Sequence, residues 1–132
     1  MLASTGALKR MKKELEWIVI VGASGAFGAV MVNRLASLGY GVIAVARRTE
    51  PLQHLAREHA NLIPCAADIS QDSAIELIRA ALPGPVRMAV HGPGVSVGGG
   101  VLTIATAALV DAVNIKAGGM LRLARAVDEH LS

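Results

Sequence analysis

Aromatic side chains are nearly missing: 132 residues hold one Trp, one Tyr and one Phe. An aromatic-rich sandwich is therefore disfavoured, yet 53% of the chain is hydrophobic, ample for the core of one domain. Ala, Val, Ile and Leu must fill that core, as they do in buried parallel strands and the helices over them. Cysteine is as scarce. With Cys65 alone, no intramolecular disulfide can form, and a reducing, cytoplasmic setting is the expectation. Within the apolar run "LIPCAAD" that thiol reads as core filling rather than as a nucleophile.

A basic stripe with aromatic stacking partners is also lacking, which argues against a nucleic-acid partner. The net charge is +3, and much of it lies in residues 1–16, where Lys9, Arg10, Lys12 and Lys13 outnumber Glu14 and Glu16. That leader reads as a flexible, solvated terminus. No cleavable signal peptide is expected. Trp17 to Asn33 and Met88 to Val110 contain no Lys, Arg, Asp or Glu, but neither reads as a membrane span. The first is broken at Gly22, Gly25 and Gly28, and the second by His91, Pro93 and five glycines, whereas a spanning helix satisfies its backbone without interruption.

What is present is an alternation of short apolar runs with longer amphipathic ones, the pattern of repeated βαβ units. Strands are expected at 17–21, 42–47, 61–68 and 86–92. A helix follows the first glycine turn from 26, carries Val30, Leu35 and Leu38, and stops at Gly39. A second starts at Thr49 and Pro51, with Leu52 and Leu55 inward, and runs to about His59. A third covers "QDSAIELIRAAL", N-capped by Ser70, with Ile75, Ile78 and Leu82 on one face. "GPGVSVGGG" reads as a loop, and one long helix runs from about Thr103 to His130. The fold class is thus α/β, a Rossmann-like doubly wound parallel sheet over 17–132, with the first strand central and right-handed crossovers.

The stretch "VGASGAFG", Val21 to Gly28, joins the first strand to the first helix. Such a turn aims free N–H groups and the positive end of a helix dipole at one spot, where an anion fits. Gly22 permits the sharp turn, Gly25 removes a side chain where a pyrophosphate would approach, and Gly28 lets the helix pack closely on the sheet. No Gly-Lys-Ser/Thr follows, so a nucleoside-triphosphate P-loop is excluded and a dinucleotide is the better guest. An acid at the end of the second strand would hold the ribose of NAD; Arg47 and Arg48 stand there instead and favour the 2′-phosphate of NADP(H). The same arginines argue against a methyltransferase-like nucleoside site.

Together these segments resemble the short-chain dehydrogenase/reductase family over nearly the whole chain after about Glu16. "VGASGAFG" is similar to its glycine motif, "ARR" to its NADP-type strand end, "AADIS" to its adenine segment, "VHGPG" to its Asn-Asn-Ala-Gly segment and "DAVNIKA" to the helix of its structural and catalytic Asn. The resemblance implies that Gly22, Ser24, Gly25, Ala26, Phe27 and Gly28 meet the cofactor, and that Asp68 and Ile69 lie against adenine. It further implies that His91, Gly92 and Gly94 support the central strand and cofactor, and that Asn114 holds a water in the proton relay. The implied activity is hydride transfer between NADP(H), rather than NAD(H), and a small carbonyl or alcohol.

The chain departs from the family at Gly-x-x-Gly-x-x-Gly, at His-Gly-Pro for Asn-Asn-Ala, and above all in its acid–base residues. That reaction needs a Ser, a Tyr and a Lys four residues after the Tyr. Here the only tyrosine is Tyr40, followed four residues on by Ala44. In the family those groups follow the helix of Asn114. The expectation is an N-terminal, cofactor-binding half, inactive alone, that pairs with a missing C-terminal half or forms a homo-oligomer. A competing reading keeps the fold without chemistry, as a nucleotide-sensing or assembly module.

Overall fold

The computed structural model describes residues 15–94 and 98–132. Residues 1–14 of the basic leader, and 95–97 of the glycine-rich loop, lie outside the described residues.

Five consecutive apolar residues make β1 (Trp17–Val21), and every one of them is buried. Their period of two divides them between two cores. Trp17, Val19 and Val21 join Ile43, Val45, Ile78, Leu123 and Val127 on one face of the sheet. Ile18 and Ile20 join Val42, Ala44, Val32, Ala36 and Leu52 on the other. A strand apolar on both faces needs helices on both, which is the doubly wound arrangement the sequence implies.

The remaining elements follow in the expected order: α1 (Ala26–Ser37), β2 (Gly41–Ala46), α2 (Glu50–Glu58), β3 (Leu62–Ala66), α3 (Ser73–Ala81) and β4 (Val86–His91). The four strands are parallel, in the order β3-β2-β1-β4, so β1 has a partner on each side. Trp17 pairs with Gly41 in the register, and the indole lies where a side chain at Gly41 would otherwise stand. Helices α1 and α2 cover one face; α3 and the final helical run cover the other. At the β4 side, Leu131 bridges in parallel to Val86.

Two expectations are corrected, and α1 packs through its smaller residues. In α1 the buried positions are Gly28, Val32 and Ala36, whereas Val30 and Leu38 are exposed. Small residues face the sheet because the helix lies close to it, and larger ones are left outside. Ser70 does not cap α3, which starts at Ser73; its hydroxyl donates to Asp68 Oδ1 at 2.7 Å instead. The last helix is not continuous from Thr103. It runs as α4 (Thr106–Val113), a π-helical turn (Asn114–Gly118), α5 (Gly119–Val127) and a short 3-10 turn (Asp128–His130). Thr103 closes a turn with Gly100, whose N–H donates to its Oγ1 at 2.9 Å. Among the described residues, no helix is long and apolar enough to cross a membrane.

Cys65 sits in β3, and burial pushes its thiol above the ordinary range, so it is core filling as its surroundings imply.

Candidate functional site

Parallel strands end on one side of the sheet, and a doubly wound sheet opens a crevice there where the strand order reverses. Here the crevice lies at the carboxyl ends of β1 and its neighbours, as a cleft of about 290 Å³. Gly22, Ser24 and Gly25 supply one wall, Val45 to Arg47 the next, Ala67 to Ser70 a third, and Gly92 to Gly94 with Ile115 the last. Segments far apart in sequence thus converge because each follows a strand of one sheet.

The glycine turn divides into three jobs. Gly22 has φ +83°, and a Cβ there would stand 2.8 Å from the Gly92 carbonyl carbon, so the turn and the end of β4 are in close approach. Gly28 is buried, and a Cβ there would overlap the Gly22 carbonyl oxygen and stand 2.8 Å from Ala23 Cα. Gly25 differs. A Cβ at Gly25 would meet only Gly22 O at 3.5 Å, an ordinary contact, so packing does not require a glycine there. Its bareness leaves space in the cleft, as an approaching ligand would need.

Behind Gly25, α1 has no side-chain cap and no acid in its first turn. The leading N–H groups of Ala26, Phe27 and Gly28 therefore have no intrahelical acceptor and face the turn. Phe27 is 83% exposed and, like Ala26 and Gly28, is not among the described residues lining the cleft.

At the end of β2, Arg47 borders the main cleft, and Ser24, Arg47, Arg48 and Pro51 line an adjoining one of about 360 Å³. Neither arginine forms an ion pair among the described residues. Across the cleft, the Ser70 hydroxyl and the Ser70 N–H, at 2.7 and 3.0 Å, hold the Asp68 carboxyl below its usual range, with the charges of Arg47 and Arg122 adding to them. Asp68 is thus a fixed anion with an oriented acceptor, and Ile69 beside it is apolar and buried.

His91 and Asn114 stand apart from this wall. The His91 Nε2–H donates to the Ile115 carbonyl at 3.0 Å, and the ring fills the space where a Cβ on Gly119 would be. It braces the π-helical turn. Asn114 Nδ2 donates to Ser70 O at 3.0 Å, and its Oδ1 accepts from Arg122 Nη2 at 2.8 Å. Sequence reasoning did not mark Arg122 or Ile115 as site residues, and it read Ser70 as a helix cap. Only the Gly118–Gly119 pair could have signalled Arg122: a Cβ on Gly118 would stand 3.0 Å from Arg122 Nη1, so the bare backbone is what admits the guanidinium.

A family profile described as short chain dehydrogenase matches residues 16–132. This chain belongs to that family. The short-chain dehydrogenase assignment agrees with solved relatives. A metagenomic short-chain oxidoreductase in complex with NADP is 27% identical, with TM-score 0.78, over 90% of this chain and 57% of that one. A 3-ketoacyl-(acyl-carrier-protein) reductase from Brucella melitensis, complexed with NADH, is 25% identical, with TM-score 0.80, over 87% of this chain and 49% of that one. A curated relative, the NADPH-dependent 1-acyldihydroxyacetone phosphate reductase of Saccharomyces cerevisiae, is 32% identical over 120 residues, 86% of this chain. The chain spans 40% of that relative's length.

Two outcomes follow for this short-chain dehydrogenase site. Gly28→Ala should lower stability by about 1–3 kcal/mol, because backbone must move, whereas Gly25→Ala should stay within about 1 kcal/mol of the parent. Urea unfolding of both measures this, and equal losses would refute the division of roles. His91 is the pH-sensitive brace. Burial chiefly lowers its pKa below 6.5, and the Lys116 charge adds, while the bond to Ile115 opposes; Nδ1 is buried without a partner among the described residues. A lowered histidine pKa means the unfolded chain takes up the proton first. The stabilisation is full above about pH 6.5 and is lost as pH falls toward the folded value. Stability lost between about pH 7.5 and 5 should therefore be smaller in His91→Gln than in the parent, read from urea midpoints at each pH.

Proposed function

We propose that this chain is the cofactor-binding portion of an NADP(H)-dependent oxidoreductase acting on a small carbonyl or alcohol. The observation that carries the cofactor choice is the meeting of Ser24, Arg47 and Arg48 around one cleft beside the glycine turn, with no acid paired to either arginine among the described residues. Two guanidinium groups and a hydroxyl suit a phosphate dianion and offer a bare ribose hydroxyl no carboxylate to accept its bond. The fold alone does not choose, since one related structure is a complex with NADP and another a complex with NADH. The yeast relative's name supports NADPH.

In this reading the N–H groups of Ala26, Phe27 and Gly28 hold the pyrophosphate over the space left by Gly25, with Gly22 shaping the turn. Arg47, Arg48 and Ser24 hold the 2′-phosphate. Asp68 and Ile69 line the adenine, while Gly92 and Gly94 leave the end of β4 open to the rest of the cofactor, with His91 bracing from behind. When bound, the cofactor supplies or accepts a hydride. Asn114 serves the proton relay: its Oδ1 accepts one bond from Arg122 and keeps a lone pair for a water.

Thermal melting with saturating NADPH or NADH tests the proposal. A ligand at about a hundred times its Kd adds about 2.7 kcal/mol. NADPH should raise the midpoint more than NADH, and Arg47→Ala should abolish the difference; equal shifts in the parent would defeat the choice of NADP(H). The 132 residues contain no Tyr-x-x-x-Lys, and turnover by them alone is not expected. NADPH-dependent carbonyl reduction by the purified chain would overturn that statement.

A further inference from the structure

We propose that Arg122 is a positioning residue that suspends the adenine-side loop of the cleft from the final helix. This inference deepens the proposed cofactor site and rests on it. Its guanidinium comes from α5, outside the cleft wall, and is only 14% exposed. Nε donates to Asp72 Oδ1 at 2.9 Å and Nη1 to the Ile69 carbonyl at 2.9 Å, so one planar group grips the loop at two points. Nη2 donates to Asn114 Oδ1 at 2.8 Å, and Nη1 lies 3.3 Å from the Asn114 carbonyl. Asn114 in turn donates to Ser70 O. The loop is thereby tied at Ile69, Ser70 and Asp72 to two residues more than forty positions away in sequence.

The charge of the pair with Asp72 is not the reason for this arrangement, because Asp72 is 85% exposed and such a pair contributes little. The carbonyl bonds are. Between Asp68, fixed by Ser70, and Asp72, Ile69 borders the cleft with its side chain packed in the core, and Arg122 supplies a donor for its carbonyl. Gly118 supports the same geometry independently. A Cβ there would stand 2.9 Å from Asn114 Oδ1 and 3.0 Å from Arg122 Nη1, so the helix is bare where the guanidinium passes.

The test uses this chain with two probes, adenosine 2′,5′-bisphosphate for the adenine side and inorganic pyrophosphate for the glycine turn, titrated by NMR. Arg122→Met should weaken the adenosine probe about tenfold, the scale of an orphaned carbonyl, and leave pyrophosphate within about twofold. Gly118→Ala should act in the same direction while helix propensity favours it, since the crowded atoms are side-chain ends that can swing away. Equal weakening of both probes, or no weakening of the adenosine probe in a folded variant, overturns the clamp. Loss of cooperative folding in both variants also overturns it, because the network then holds the fold rather than the site. If the parent chain binds pyrophosphate but not the adenosine probe, the proposed cofactor site itself fails and this inference with it; parent binding with unchanged variants defeats the clamp alone.

Discussion

A strand buried on both faces and paired on both edges leaves the chain a single exit, beyond its carboxyl end. β1 is that strand, and its five buried residues make the exit a tight one. The chain must turn between β2 and β4 and pack a helix against the sheet within a few residues. Gly22 and Gly28 answer that demand, the first through its backbone conformation and nearness to Gly92, the second through the closeness of α1 to the Gly22 carbonyl. The anion-binding role proposed for the turn rests on the same geometry. A helix brought so near, without a side-chain cap or an acid in its first turn, leaves its leading N–H groups without intrahelical acceptors beside the glycine turn. Gly25 is the member of the motif that packing does not explain, which is why it points to a ligand.

The same sheet sets the other walls. Because all four strands run in parallel, the residues following each strand arrive on the same side: Arg47 after β2, Asp68 after β3 and Gly92 after β4. Beyond the Ala67 N–H, which donates to the Ala46 carbonyl of β2, the sheet does not fix the orientation of the loop after β3. There the final helical run takes over through Asn114 and Arg122, and His91, at the end of β4, braces that run from the other side. The π-helical turn has consequently two braces, one cationic and one neutral imidazole, on either side of the Gly118–Gly119 pair.

Much of this was legible in the sequence, for local reasons. Strand positions followed from runs such as "WIVIV", the stop of α1 from Gly39, whose φ is +94°, and the start of α2 from Pro51 in its first turn. The glycine turn and the arginines after β2 were legible because each lies beside its strand. Other features were misread for equally physical reasons. Ser70 before an amphipathic run looks like a helix cap, but the helix begins only at Ser73, and the Ser70 hydroxyl turns back to donate to Asp68, two residues earlier. Val30 and Leu38 lie outside because the closeness of α1 to the sheet leaves room inside only for Val32, Ala36 and Gly28. The break in the last helix had no reading in periodicity, since a π-helical turn shifts the face of every later residue.

The sequence by itself determined the order of strands and helices, the glycine turn and its family, and the arginines that favour a phosphate, because those depend on residues a few positions apart. Only the tertiary structure decided which residues meet across the cleft and what His91, Asn114 and Arg122 do. Arg122 and Asp72 are 50 positions apart, and Ser70 and Asn114 are 44. Hydrogen bonds over such separations are fixed by the angle and depth at which a helix seats on a sheet, a property of the assembled core that no local pattern encodes.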